Sequence, residues 1–198
     1  MNIPKVDKID KYILQLVQMV AQTSYLPHPN VVKAVRGAVF PTARARKNHP
    51  RFSHILDADN PIGMYDDNVT PRWAILWAHD KEGSRTKGWT FAHVWPVTDD
   101  IKAFTHLANL IMVNESFASL TDKNGPLTAF LRWHAWKIYA WKPELEVEPI
   151  KPAGYDDIKW RYLEGVENPK ELIKARLNKF NNQCTKVLRP IMKSRKML

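Results

Sequence analysis

The chain has 198 residues, of which 44% are hydrophobic and 11% aromatic; this excludes a disordered chain and fits one globular core with peripheral helices. Thirty Lys and Arg against twenty Asp and Glu give a net charge of +10, and Cys184, the single cysteine, excludes an internal disulfide and a thiolate metal cluster. The single cysteine fits a reducing cytoplasm, and because the sequence has no run of eighteen apolar residues we expect no membrane span. Asp7 and Asp10 interrupt the apolar pattern at the start, so we expect no signal peptide.

The first part of the chain is predicted to be helical and then rich in loops. Apolar residues at steps of three and four predict an amphipathic helix over about residues 5–23. Asn30 is expected to cap a short second helix over residues 31–39. Residues 42–54 show neither helical nor strand periodicity and predict a basic loop, and residues 57–71 are dense in turn formers.

The middle of the chain is predicted to contain the strands. Residues 72–79 and 89–96 are apolar and aromatic, and a Gly-containing loop separates them, which predicts a β-hairpin. A further strand is predicted at residues 109–113, followed by a short helix at about 115–120. Pro126 suits the first turn of a longer helix that ends near Pro143.

Three segments follow from this pattern. Residues 1–143 are predicted to form a core domain, residues 144–168 a proline-rich acidic linker, and residues 169–198 a basic C-terminal segment with a helix over about 169–188. The class predicted is α+β, with a small antiparallel sheet among helices.

Positive charge is concentrated in two segments. Residues 33–51 hold six basic residues and no acid, and residues 169–198 hold nine basic residues and one acid, Glu171. A surface polarised in this way attracts a polyanion, because each neutralised phosphate releases condensed counterions. The sequence therefore predicts nucleic acid as the partner, DNA rather than RNA, with these contacts: Arg44, Arg46, Lys47, Arg51, Lys186, Arg189, Lys193 and Arg195.

Residues 89–122 hold the pattern that indicates chemistry. His93 ends an apolar strand, a loop follows, Asn109 opens a second apolar strand, and a short helix comes next. This pattern resembles the HNH, or ββα-metal, nuclease motif. The resemblance implies a ββα-type unit that hydrolyses phosphodiester bonds, in which His93 activates water, Asn109 orients His93, and a divalent metal, Mg²⁺ or Mn²⁺, stabilises charge on the phosphate.

The metal ligands of this motif must come from other positions in this chain. Ala92 stands where the family often has an Asp ligand, and residues 117–119 contain no His. The predicted substitutes are His79, Asp80 and His106, with Asp99, Asp100, Asn114 and Asp122 as further candidates.

Three functions are left open by the sequence. The first is a metal-dependent endonuclease of the restriction or phage type. The second is a non-enzymatic architectural or regulatory DNA-binding protein on a degenerate ββα scaffold. The third is a single-strand RNA binder that uses the Trp-rich face for base stacking. The sequence also leaves open whether one chain or a homodimer binds.

Overall fold

The structure is a computed structural model and describes residues 6–82, 87–121 and 125–197. The helices in these ranges are α1 (Val6–Gln22), α2 (Pro29–Val35), α3 (Val69–Ala78), α4 (Pro126–Tyr139), α5 (Pro169–Lys179) and α6 (Gln183–Ser194). The strands are β1 (Thr42–Arg44), β2 (His54–Asp57), β3 (Asn60–Asp66), β4 (Trp89–His93) and β5 (Leu110–Asn114). Short 3-10 helices cover Leu107–Asn109, Glu115–Leu120 and Tyr155–Asp157.

The strands form two small sheets. β3 is the middle strand of the first sheet and pairs parallel with β1 and antiparallel with β2. β4 and β5 form an antiparallel pair in which His93 lies opposite Leu110. The predicted α+β class is therefore confirmed, although the sheet expected to be antiparallel throughout is mixed where β1 joins β3.

The β4–β5 pair is covered by α4. Ala92 of β4, Ile111 of β5 and Leu131 of α4 are buried in one hydrophobic cluster, to which α1 contributes Val17 and Val20. The 3-10 helix Glu115–Leu120 and then α4 follow β5 in the chain, so two strands, a short helix and a longer helix come in the predicted order. This packing fixes the position of β4, on which His93 lies.

The prediction of a strand at residues 72–79 is wrong, because these residues lie in α3. Asp67 Oδ1 accepts the N–H of Val69 and Asp66 Oδ2 that of Thr70, each at 2.9 Å, which satisfies donors at the start of the helix. Periodicity does not separate a short, fully buried helix from a buried strand. The predicted hairpin with residues 89–96 is wrong for the same reason, and β4 pairs with β5 instead.

The predicted C-terminal helix is two helices. Asn182 ends the break after α5, and its side chain accepts the N–H of Thr185 at 3.0 Å while Thr185 Oγ1 accepts the N–H of Asn182. This reciprocal capping box starts a new helix instead of continuing the old one. At α2 the cap is His28 and not Asn30, and the helix ends at Val35.

Two further segments differ from their predicted character. Residues 60–66, predicted as turns, form β3, the central strand of the first sheet. The segment 144–168, predicted as a linker, contributes buried Tyr155, Ile158 and Leu163 to the core. Within the described ranges, no helix has the length and apolarity needed to cross a membrane.

Candidate functional site

Two adjoining clefts lie along β4 and share Asn68, Thr90 and Phe91 in their walls. Their volumes are about 310 and about 560 Å³. We call them together the β4 groove. The charged and titratable residues that line it in the described part of the chain are Arg44, Arg72, Lys87, His93, Glu115 and Arg132.

The β4 groove is strongly basic. Its four cationic side chains come from β1, α3, the residues before β4, and α4, and Glu115 is the one acid among its described lining residues. Arg44 and Lys87 are exposed, and neither forms an ion pair with any described residue. A groove lined by cations attracts phosphate groups, and Arg44 and Lys87 are able to contact them.

The fold holds the arginines of the groove in different ways. The backbone N–H of Arg44 donates to Thr98 O at 2.8 Å, which attaches the end of β1 to the loop after β4. Arg132 Nε donates to Val94 O at 3.3 Å, and its guanidinium lies 5.9 Å from the centre of the Trp95 ring. Arg72 Nε is buried and has no hydrogen-bond partner among the described residues. Buried donors in folded proteins usually have a partner, so water or a ligand in the groove is the expected acceptor for Arg72 Nε.

His93 lines the first cleft together with Arg44 and Arg132. Its Nε2 is 2.9 Å from the carbonyl oxygen of Phe104, and the two rings stack with centroids 5.1 Å apart. A carbonyl oxygen only accepts, so Nε2 carries a proton that it donates to Phe104 O.

Asn109 constrains the chain directly after His93. Its backbone oxygen accepts the N–H of Val94 at 2.9 Å, and its side-chain Oδ1 accepts the N–H of Trp95 at 2.8 Å. Its Nδ2 donates to Ala103 O at 3.1 Å, which closes the loop between the two strands. Asn109 thus fixes the end of β4 through the two residues that follow His93.

The predicted metal ligands do not line the β4 groove, and the fold uses each of them elsewhere. His79 is buried, donates from Nδ1 to Ile75 O at 2.6 Å and accepts the N–H of His28 at Nε2, and burial lowers its pKa to about 4. Asp80 pairs with Arg176 at 2.9 Å. His106 is buried and stacks on Trp141 with centroids 4.2 Å apart, and burial lowers its pKa also to about 4.

A divalent metal does not fit the described lining of the cleft at His93. Mg²⁺ and Mn²⁺ prefer carboxylate oxygens, and the described residues around His93 supply two guanidinium groups and no carboxylate. Throughout the described ranges, no three His, Cys, Asp or Glu side chains are grouped so as to hold a metal ion. Asp122, one of the further candidates, lies outside the described residues.

The eight predicted nucleic-acid contacts divide into three groups. Arg44 lines the β4 groove. The remaining arginines bind the protein itself, through Asp99 for Arg46, Asp66 and Asp67 for Arg51, the carbonyls of Leu177 and Phe180 for Arg189, and the carbonyl of Ile62 for Arg195. The three lysines are exposed without an ion pair to any described residue, and they are Lys47, Lys186 and Lys193.

Three basic residues of the groove were absent from the sequence-based candidates: Arg72, Lys87 and Arg132. Arg72 was placed on a strand, and α3 in fact turns it toward β4. A pattern that could have found Arg132 is its spacing of four residues from Thr128, since both lie on one face of α4 and line the first cleft.

A scan against protein-family models and searches among curated proteins and solved structures found no match for this chain. Its function must therefore be inferred from the residues of the site.

Proposed function

We propose that this chain binds duplex DNA and holds the phosphate backbone in the β4 groove. The observation that carries the proposal is the convergence of Arg44, Arg72, Lys87 and Arg132 on one groove with a single described acid. These residues are far apart in the sequence, so their meeting is a property of the fold and not of one basic segment. The buried, lone thiol of Cys184 supports a cytoplasmic location as part of this proposal.

The tryptophans favour duplex DNA over single-stranded RNA as the ligand. All eight are buried or half-buried, and Trp73 and Trp77 stack on each other with centroids 4.5 Å apart. Binding of single strands commonly uses exposed aromatic rings as stacking platforms for bases. The cationic groove instead matches phosphates, which a duplex presents on its outer surface.

Binding of a fluorescent 20-base-pair duplex tests this proposal by anisotropy at several salt concentrations. The double variant Arg44→Ala/Lys87→Ala should bind more weakly, and the slope of log affinity against log salt should fall by about two. Lys137→Ala/Lys159→Ala is the matched control, since both lysines are exposed, lie outside the groove and lose the same charge. Equal weakening in both double variants would show a charge effect alone and contradict the proposal.

The same complexes answer two further questions. Their mass, measured by light scattering, tells whether one chain or a homodimer binds the duplex. A single-stranded RNA of the same length, bound more tightly than the duplex, would replace DNA by RNA as the ligand.

Cleavage of the bound phosphodiester is the second candidate function, and the position of His93 favours it. The ring lies in the same cleft as Arg44 and Arg132, so a phosphate held by the arginines would be next to a group that can accept a proton. In this hypothesis His93 takes a proton from water as the water oxygen attacks phosphorus, and the P–O bond to the leaving sugar oxygen breaks. The leaving oxygen takes a proton from solvent, and the guanidinium groups stabilise negative charge on the phosphate oxygens.

Incubation of supercoiled plasmid with the protein tests this second candidate in Mg²⁺, in Mn²⁺ and in EDTA. His93→Gln keeps a polar side chain of similar length, and His93→Ala removes it. Nicking that is lost in both variants, while both still bind DNA, would establish His93 as the base. Salt-sensitive binding without nicking under any condition would leave the non-enzymatic DNA-binding function.

A further inference from the structure

A second basic surface lies away from the β4 groove, where α2 meets α5 and the end of α6. Two adjoining depressions of about 220 and about 410 Å³ share Arg36 and Lys170 in their walls. We call them together the helix cleft. Its basic lining residues are Lys33, Arg36, Lys170 and Lys196.

The cations of the helix cleft have no counter-ions from the described protein. No acid is among its described lining residues, and none of its four basic side chains forms an ion pair or a hydrogen bond with a described residue. The other end of α5 differs, because Arg176 there pairs with Asp80 at 2.9 Å and with Glu82 at 2.6 Å. Like charges brought together without acids repel one another, and a bound anion would offset this repulsion.

Two of these cations also have an unfavourable backbone conformation. Arg36 has φ 55° and Lys196 has φ 53°, in the left-handed region that glycine adopts most easily. Arg36 is the C-cap of α2, a position at which glycine is the common residue. A residue with a Cβ incurs a conformational free-energy cost in this region that glycine does not.

The floor of the cleft is apolar and buried. Val35, Ile173 and Met192 come from three different helices and are nearly inaccessible to solvent. Lys33 and Lys170 lie on packed helices, and Arg36 and Lys196 come just after the ends of α2 and α6. A rigid frame of this kind lowers the entropy cost of binding an anion.

We propose that the helix cleft is a phosphate-binding site separate from the β4 groove. The ligand chemistry is two or more neighbouring phosphates, supplied either by the DNA backbone or by a free oligophosphate. Binding of DNA at this cleft rests on the proposed function, whereas binding of free oligophosphate does not.

Titration of the ¹⁵N-labelled protein with sodium tripolyphosphate, followed by NMR of the backbone amides, locates the site. We expect shifts at Arg36, Gly37 and Lys170 that saturate. Lys33→Ala/Lys170→Ala should weaken this binding by about tenfold, as expected for the loss of two phosphate contacts. The control Lys137→Ala/Lys159→Ala should leave it unchanged.

A second variant separates a binding role from a structural one. Arg36→Gly removes the charge and relieves the left-handed conformation, so the melting temperature should stay the same or rise while tripolyphosphate binding weakens. A residue with only a structural role would not show these opposite effects. Absence of saturable shifts at the cleft, or equal weakening in the control, would overturn the proposal.

Titration with the 20-base-pair duplex distinguishes the source of the phosphates. A lower salt slope in Lys33→Ala/Lys170→Ala than in the wild type supports the cleft as a DNA contact. If the protein binds tripolyphosphate at the helix cleft but does not bind DNA, the cleft is a site for free oligophosphate. This result would contradict the proposed function. If DNA binding is lost only in Arg44→Ala/Lys87→Ala and tripolyphosphate causes no amide shifts, the proposed function is supported. The proposal that the helix cleft binds phosphate is then overturned.

Discussion

The arginines of the C-terminal basic segment and the exposed cations of the β4 groove use their positive charges in different ways. In the C-terminal segment, Arg176 pairs with two acids and Arg189 donates to the carbonyls of Leu177 and Phe180. In the β4 groove, Arg44 and Lys87 form no ion pair with a described residue. The density of charge along the sequence therefore does not tell which cations are available to a ligand, because the fold itself uses many of them.

The histidines show the same contrast between residues that serve the fold and residues that face the groove. His79, His106 and His134 are buried, and His134 is hydrogen-bonded to the hydroxyl groups of Tyr155 and Tyr162. His93 is half-buried and lines the groove. Four predictions, from the largest expected effect to the smallest, test this separation.

Acid should unfold the protein through its buried histidines. Burial lowers the pKa of His79 and His106 to about 4 and that of His134 to about 3, against about 6.5 in the unfolded chain. Protonation therefore favours the unfolded state, and the stability present above pH 6.5 is lost as the pH falls toward 4. The loss at pH 4 is about 3 kcal/mol for each histidine, which together is comparable to the total stability of a domain.

Urea unfolding measured at several pH values between 7 and 4 checks this. The slope of unfolding free energy against pH should correspond to uptake of nearly three protons. Burial raises the pKa of the Asp66 carboxyl, so its protonation in acid acts in the opposite direction. A stability that does not change between pH 6.5 and 4.5 would contradict the assignment of these rings to the core.

Replacement of Arg51 should destabilise the fold but should not weaken DNA binding by the folded protein. Its Nε donates to Asp66 Oδ1 at 2.7 Å, and the Asp66 side chain is fully buried. Arg51→Ala leaves that carboxyl without its partner, which should lower the free energy of unfolding by about 2 kcal/mol. The exposed pair of Lys102 with Glu144 provides the control, since Lys102→Ala should change it by less than about 1 kcal/mol. Weaker DNA binding by folded Arg51→Ala would place Arg51 at the interface instead.

The sequence predicted much of the fold where patterns are long and local. The first helix, the strand in residues 109–113 and the helix from Pro126 follow from periodicity and proline placement, and all are present. Residues 72–79 were misassigned because a short apolar run has no amphipathic period when every side is buried. The C-terminal break was missed because the capping box of Asn182 and Thr185 lies inside a continuous basic pattern.

The candidate site was less predictable than the fold. His93 and Asn109 are separated by one loop, and the β4–β5 pairing that relates them could be inferred from two apolar strands. Arg72 and Arg132 join the same groove only through tertiary packing of α3 and α4. No local pattern encodes that convergence, so a single sequence favours the dense basic segments over the scattered residues of the groove.

Arg189 should prove structural, although its segment holds nine basic residues. Its guanidinium donates to carbonyls at the end of α5, at 3.1 Å for Leu177, and also to Thr185 Oγ1 at 3.3 Å. Arg189→Ala removes the donor to Leu177 O and leaves Phe180 O with the Thr185 hydroxyl, so it should lower the free energy of unfolding by about 1 kcal/mol. The salt slope of DNA binding should not change. A fall of about one in that slope would instead indicate a phosphate contact by Arg189.

The neighbours Arg44 and Arg46 give the finest comparison between a groove cation and a paired cation. Both are exposed, but Arg44 lines the β4 groove, while Arg46 pairs with Asp99 at 2.6 Å. Neither alanine variant should change the free energy of unfolding by more than about 0.5 kcal/mol, because both sites are on the surface. Arg44→Ala should lower the salt slope of DNA binding by about one, and Arg46→Ala should leave it unchanged. Equal salt slopes for the two variants would show that DNA binding depends on the total charge of residues 42–54. This result would contradict the assignment of the β4 groove as the phosphate contact.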